Sequence, residues 1–401
     1  MKDSLATETR VPIETATSKS WEAIVLGAGV AGASFAIHAA RQGHRTLLVD
    51  AQSFPRDKVC GGCLNPRAQR ELELLGVLPE VMNAGAIPIS SLRIHVAGHV
   101  SRWTVPRMLS VRRSTLDLLL VEHAIRNGVV FLPETRGAIQ TRNNAADSSV
   151  PVRLTPQARD SQPATTLQCR HAVVAAGLSR SPLPRNDVWD LEVEKDSRVG
   201  AHCLVDRERL SSFGSLSCSE NTLHMLVGDA GYVGICPTDG QAIDIAAALS
   251  PSEIRLRGGI GPCVQSVLQG CGVDCQDELH DCEWLATPLL SRKSSRVADR
   301  GVFLLGDSAG YVEPFTGEGM SWALEGARVL ATLLCGNDAV EREGHLDAEW
   351  RHWIETHRRS HQTISKWVAG RARHTRSAKV LLKVLDWTPW VRNYLVQKAM
   401  Q

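Results

Sequence analysis

Apolar and polar positions along this chain follow two different periods. Ala23-Ile24-Val25-Leu26 is a short continuous apolar run, and Thr46-Leu47-Leu48-Val49 is a second one that ends at Asp50. Between them, Val30 to Arg41 is apolar nearly all round, the pattern of a helix buried against a sheet, and Gly43 stands where it would stop. Buried runs alternating with a helix predict a parallel sheet. Ala172 to Ala176 and Gly301 to Leu305 predict two more strands of that sheet, and a helix is expected from about Glu318 to Leu334.

Other stretches read differently. Leu92, Ile94 and Val96 alternate with polar residues between Ser91 and Val105, which predicts antiparallel strands. Val193 to Ser250 is strand-rich, with turn signals at Gly228-Asp229 and Asp239-Gly240. Arg113 to Ile125 carries Leu116, Leu119, Leu120 and Ala124 on one helical side. Thr141 to Thr166 is rich in Ser, Asn, Asp, Pro and Gln and reads as an exposed hairpin loop within a domain. The parallel-sheet segments are therefore interrupted in sequence by antiparallel blocks. The expected organisation is a discontinuous nucleotide-binding domain (residues 21–90, 111–182 and 295–345) carrying a second domain as inserts (91–110 and 183–294). A basic helical region, 346–401, follows. Residues 1–20 lack the apolar core of a secretory signal and read as a disordered lead-in.

Composition narrows the function classes. The chain has 401 residues, is 43% hydrophobic and carries a formal net charge of +2, which removes the electrostatic footprint of a nucleic-acid binder. No apolar run is long enough to cross a bilayer as a helix. Eleven cysteines, an odd and scattered set, suit a reducing cytosol better than a disulfide framework. The charge is uneven, however. Residues 346–401 hold eleven Lys and Arg against four Asp and Glu, with five of the ten tryptophans. Lys379 and Lys383 share one helical face, with Val380, Leu381, Val384 and Leu385 opposite. Such a helix either lies in a membrane interface or packs over the domain with its basic face in water.

Candidate chemistry begins at Gly27-Ala28-Gly29-Val30-Ala31-Gly32, a G-x-G-x-x-G directly after a strand and opening a helix. Gly27 allows the tight turn, Gly29 lets a pyrophosphate approach the backbone, and Gly32 permits close packing. The helix end presents free N–H groups to the phosphate. Asp50, closing the next strand, is placed to accept from ribose hydroxyls. Strand, helix, second strand and terminal acid together predict a Rossmann-like dinucleotide site in an α/β fold. A second signal, Leu305-Gly306-Asp307-Ser308-Ala309-Gly310, is followed by Pro314-Phe315-Thr316-Gly317-Glu318-Gly319-Met320.

On these two motifs the chain resembles the FAD-dependent family that includes para-hydroxybenzoate hydroxylase and the geranylgeranyl reductases. The resemblance implies that Asp307 holds the flavin ribityl chain. It also implies that the loop through Gly317, Gly319 and Met320 sets a helix end beside the flavin ring. Three further stretches are similar: Cys60-Gly61-Gly62, which in geranylgeranyl reductases approaches the flavin; the R-x-x-L-D-x-x-L start at Arg113; and Gly231 to Pro237, a strand lining the substrate cavity. Departures matter as well. Ala175-Ala176-Gly177 lacks the acid of the family's Ala-Asp-Gly, which puts direct NAD(P)H use in doubt and leaves an external electron donor open. Gly234 stands where tryptophan is usual, and the halogenase W-x-W-x-I-P pattern is absent. Cys60 and Cys63 form a C-x-x-C that could be a redox dithiol, half a zinc site, or packing and polarity beside the flavin; no metal site is expected. No histidine is singled out. The resemblance implies an FAD-dependent oxidoreductase of an apolar small molecule, isoprenoid or phenolic lipid. A hydroxylase using NAD(P)H and oxygen, and a non-catalytic electron relay, remain as alternatives.

Overall fold

The computed structural model describes residues 16–17, 19–141, 148–157, 163–184, 187–208, 216, 221–274, 279–313, 317–336, 344–357 and 375–400. The expected parallel sheet is present. Its strands run in the order Ala298–Asp299, Val302–Leu304, Thr165–Val174, Trp21–Leu26, Thr46–Val49 and Val130–Leu132. Along this order all pairings are parallel except that of the short edge strand Ala298–Asp299. The central strand Trp21–Leu26 is buried along almost its whole length, with Leu26 packed against Gly137 of the strand Thr135–Ile139. Helix Val30–Arg41 packs against helices Gly319–Cys335 and Arg113–Arg126, so almost no polar surface is needed on it.

Two expectations fail here. The polar segment 141–166 is not simply a loop: Val150–Pro156 is a strand pairing with both Thr135–Ile139 and Thr165–Val174. Val150, Val152 and Leu154 point inward at alternate positions, a period-two signal hidden by the polar composition around it. The lead-in is anchored at Ala16, which is fully buried and whose carbonyl accepts from the Trp21 indole N–H at 2.9 Å; residues 1–15 lie outside the described residues.

The second sheet runs Leu285–Leu289, Val199–Asp206, Ala242–Leu249, Gly231–Thr238, Thr222–Gly228, Ile87–Val96, His99–Ser110 and Cys63–Leu64. It starts earlier than expected, at Ile87 rather than residue 91. One internal pairing, Thr222–Gly228 with Ile87–Val96, is parallel. Helix Ile260–Gly270 covers one face through Cys263, Val264, Val267 and Leu268. The other face looks toward the first domain. Cys63–Leu64 is an edge strand of this sheet, so the Cys-Gly-Gly-Cys segment ties the two domains together. The C-terminal region is helical where described, at residues 346–357, Thr375–Trp387 and Pro389–Met400.

Candidate active site

The glycine turn follows the strand Trp21–Leu26. Gly27 has φ +110° and donates its N–H to the Val49 carbonyl at 2.7 Å. A Cβ on Gly27 would lie 2.4 Å from the Ala175 carbonyl oxygen, and one on Gly32 would lie 1.9 Å from that of Gly27. Both glycines are therefore required by the turn itself. Gly29 is different: a Cβ there would point into the space bordered by Arg113, Arg56 and Asp117, 3.5–3.8 Å away. Gly29, Val30 and Ala31 line a cavity of about 740 Å³, with the first turn of helix Val30–Arg41 facing it. Asp50 sits behind the turn. Its Oδ2 accepts from the Ala28 N–H at 2.7 Å and its Oδ1 from the Gln52 N–H at 2.9 Å, and Gln52 rather than Asp50 borders the cavity.

Positive charge gathers on the wall facing Gly29. Arg113 makes two hydrogen bonds of 2.9 Å to the fully buried Asp117. Burial works against the Arg113 charge, but Asp117 prevails and holds its pKa above the usual range. Arg56 reaches both Asp117, at 3.2 Å, and Asp50, at 3.3 Å. Lys58 lines the cavity between Arg113, Asp117 and Asp307; burial and then Arg113 push its pKa down. Its ammonium has no hydrogen bond or ion pair among the described residues and lies 2.8 Å from where a Gly177 Cβ would stand. A half-buried ammonium set beside two guanidinium groups calls for an anion in the cavity. Nothing in the sequence singles out Lys58, since lysines are common and only its place in the cavity beside Arg113 marks this one.

The far end of the chain completes the same cavity. Val302–Leu304 leads into a short turn, Gly306–Ala309, in which Gly306 adopts φ +61°. A Cβ there would come within 3.0 Å of Ala31, so the second motif packs on the first. Asp307, Gly317, Gly319 and Met320 line the cavity with Gly306, and helix Gly319–Cys335 begins there; Pro314, Phe315 and Thr316 lie outside the described residues. Cys60 and Gly61 border the cavity, whereas Gly62, at φ +62°, backs onto the Val111 carbonyl. The two thiols of the C-x-x-C face different partners. Cys60 lies beside Arg113, while Cys63 lies beside Cys236 of the second sheet, all three thiols being free. Burial raises the Cys60 pKa, and the hydrogen bond with Cys236 followed by burial raises that of Cys63, so both stay protonated. No cluster of three metal-ligating side chains occurs among the described residues.

Sequence reasoning also missed His202 and Asp244, buried on neighbouring strands with Nε2 and Oδ2 3.1 Å apart. They are 42 positions apart in the chain, and only strand pairing brings them together.

The family of proteins described as "FAD binding domain" matches residues 20–337. The chain belongs to this FAD-binding family. It is an FAD-dependent oxidoreductase, as its relatives are. The menaquinone reductase of Mycobacterium tuberculosis (strain H37Rv) is 29% identical over 337 residues, 80% of this chain and 78% of that protein. Squalene monooxygenase of Rattus norvegicus is 22% identical over 381 residues, 91% of this chain and 63% of that protein. Pseudomonas aeruginosa PqsL in complex with 2-aminobenzoylacetate superposes with a TM-score of 0.70 at 20% identity, covering 92% of this chain and 100% of that one. The flavin-dependent brominase Bmp2 superposes with a TM-score of 0.71 at 16% identity, covering 95% and 93%.

The residues present fit FAD. The open space at Gly29 admits a diphosphate to the helix N-terminus. The Lys58 ammonium, with Arg113 and Arg56 beside it, supplies the positive charge that an anion requires. Asp307 lies on the same cavity wall, at the position implied for the ribityl acceptor.

Proposed function

We propose that this FAD-dependent oxidoreductase reduces an unsaturated apolar molecule of the isoprenoid or quinone class, in the manner of the geranylgeranyl reductases. The observation that carries this reading is the continuity of the cavity. From Gly29 and Asp307 it runs without interruption into a chamber walled by Leu92, Ile94, Met108, Leu223, Met225 and Val227 of the second sheet. The C-terminal helices roof it with Leu381, Leu382, Leu385 and Val396. Such walls exclude water and suit an apolar substrate, with charged groups gathered at the cofactor end and Asp244 at the junction with the second sheet.

Bound FAD supplies a two-electron carrier. The chain's own residues divide the remaining work. Arg113 and Lys58 hold the anionic end of the cofactor, Gly61 leaves room where the two domains meet, and the small side chains Gly234, Ala246 and Ala248 keep the chamber open. Ala175-Ala176-Gly177 has no acid to support a nicotinamide, which favours an electron-donor protein over NAD(P)H. The same reading makes the C-terminal helices a peripheral membrane contact through which an apolar substrate could enter.

The experiment is product analysis on FAD-loaded protein with menaquinone and geranylgeranyl lipids as probes. Under anaerobic conditions with dithionite, the expected product gains two hydrogens. A product containing an oxygen atom, formed only with NADPH and oxygen, would make the protein a hydroxylase instead. Flavin reduction with no product from any probe would leave an electron relay.

A further inference from the structure

Where the Cys-Gly-Gly segment meets the second sheet, the cavity wall changes from apolar to acidic. A Cβ on Gly61 would stand 3.6 Å from Ala246, and one on Gly62 would stand 3.4 Å from Asp244 Oδ2. Asp244 lines the cavity at this junction and is 3% exposed. Its Oδ2 shares a hydrogen with His202 Nε2 at 3.1 Å. Its Oδ1 and the His202 Nδ1 are buried and have no hydrogen-bond partner among the described residues. Each unpaired buried polar atom costs roughly 1–3 kcal/mol, and an apolar pair of similar volume would serve stability as well or better. The pair is also the wrong choice for packing alone, because its neighbours on this face, Ala246 and Ala248, are small residues that keep the chamber open.

We propose that Asp244 is the proton donor to the substrate and that His202 is the positioning residue that recharges it. The inference rests on the reductase reading above. In the balanced reaction, two electrons and one hydrogen reach one atom of the double bond or quinone from reduced flavin. The Asp244 carboxyl gives its proton to the other reacting atom, a neighbouring carbon or a quinone oxygen. The pair then holds one proton fewer, and a proton drawn from solvent restores it, shared again between His202 Nε2 and Asp244 Oδ2. The net change is a saturated bond or hydroquinone, oxidised flavin and one proton drawn from solvent; the electrons come from the external donor that reduces the flavin.

The surroundings fit this task. Asp57 and Asp239 face the pair and oppose further negative charge, while Arg113 favours it. The neighbouring thiols Cys60, Cys63 and Cys203 are held protonated by burial and hydrogen bonding. Burial raises the pKa of Asp244. Burial opposes the His202 charge, but the hydrogen bond its Nε2–H donates to Asp244 and the attraction of that carboxylate together outweigh burial and raise the His202 pKa. Both shifts favour a proton held between the two side chains.

The test uses the full chain loaded with FAD, in wild-type, Asp244→Asn and His202→Gln forms. Both variants should keep the wild-type flavin-to-protein absorbance ratio and reduce normally with dithionite. Anaerobic turnover of the lipid probe should fall about a hundredfold or more in Asp244→Asn, in kcat rather than KM. The wild-type rate should decline as pH rises through the elevated His202 pKa, a limb missing in His202→Gln. Independently of turnover, ¹⁵N-histidine NMR should show His202 titrating above the ordinary value in wild type and below it in Asp244→Asn, where burial acts alone. Near-wild-type turnover in flavin-replete Asp244→Asn, or a His202 titration indifferent to that change, overturns the inference while leaving the reductase reading intact. Wild-type protein that reduces no probe overturns the reductase reading and this inference with it.

Discussion

Gly29 and Lys58 show how single residues set this site. Gly29 leaves the approach to the helix end open, and Lys58 brings an uncompensated charge to the same cavity. Gly29→Val should give colourless protein, because its side chain would fill the space in front of Arg113. Lys58→Met should still fold, since it removes a buried charge rather than a partner. It should weaken FAD binding roughly tenfold to a hundredfold, the range of one charge-assisted hydrogen bond at about 1.5–3 kcal/mol. Its pH dependence has a definite sign. The Lys58 pKa is depressed, so raising pH neutralises the ammonium and wild-type FAD affinity should fall. The same titration in Lys58→Met should lose that slope; isothermal calorimetry across the pH series reads both.

Among the elements, the C-terminal helices carry the most information per residue. Thr375–Trp387 turns Ala378, Leu382 and Leu385 toward the cavity and leaves Val380 at 63%, Val384 at 52% and Trp387 at 88% exposure. In the next helix Trp390 is 76% and Tyr394 58% exposed. Asp386, the acid between them, is occupied by His99 at 3.0 Å and by Ser101. The outer surface is thus aromatic and basic, with Lys383 and Arg392 among its charges. Trp387→Ser with Trp390→Ser should reduce flotation with anionic vesicles and leave FAD content unchanged, because neither side chain reaches the cavity. No flotation of wild-type protein on such vesicles would reject the membrane reading. The apolar face expected from sequence is split: Leu381 and Leu385 line the cavity but Val380 and Val384 are exposed, and Lys379 donates to the Ala97 carbonyl at 2.9 Å, because an amphipathic pattern does not state what it packs on.

At the scale of the whole molecule, the cofactor cavity is closed by residues from both ends of the chain. Gly306 packs on Ala31, and the Glu71 carboxylate holds Arg328 through bonds of 2.9–3.2 Å. FAD should therefore stabilise the fold as a unit. The melting temperature should rise with FAD concentration, by an amount equivalent to about 2.7 kcal/mol at a hundredfold excess over Kd. A second whole-molecule effect comes from three histidines. Burial lowers the pKa of His38, His95 and His171 to about 4 in each case. Unfolding frees them to protonate near their ordinary value of about 6.5. The stabilisation is complete above that value and is lost as pH falls toward 4, at up to roughly 3 kcal/mol each. Urea unfolding at pH 7 and pH 5 should show the loss, and His171→Phe should reduce it.

The sequence by itself determined the cofactor and the frame that holds it. Gly27, Gly29, Gly32, Gly306 and Asp307 were legible because backbone turns and helix ends are local devices: a glycine at a fixed spacing has one steric meaning wherever the rest of the chain goes. The buried strands and the helix Val30–Arg41 were legible for the same reason, since their patterns repeat over neighbouring residues. Tertiary structure alone decided which side chains meet around that cofactor's cavity. Lys58 meets Arg113 and Asp307 only when distant segments close around one cavity. Cys63 turns from Cys60 to Cys236 only when Cys63–Leu64 joins the second sheet, and His202 meets Asp244 only through strand pairing. Desolvation and juxtaposition are properties of the closed chain, and no window of sequence contains them.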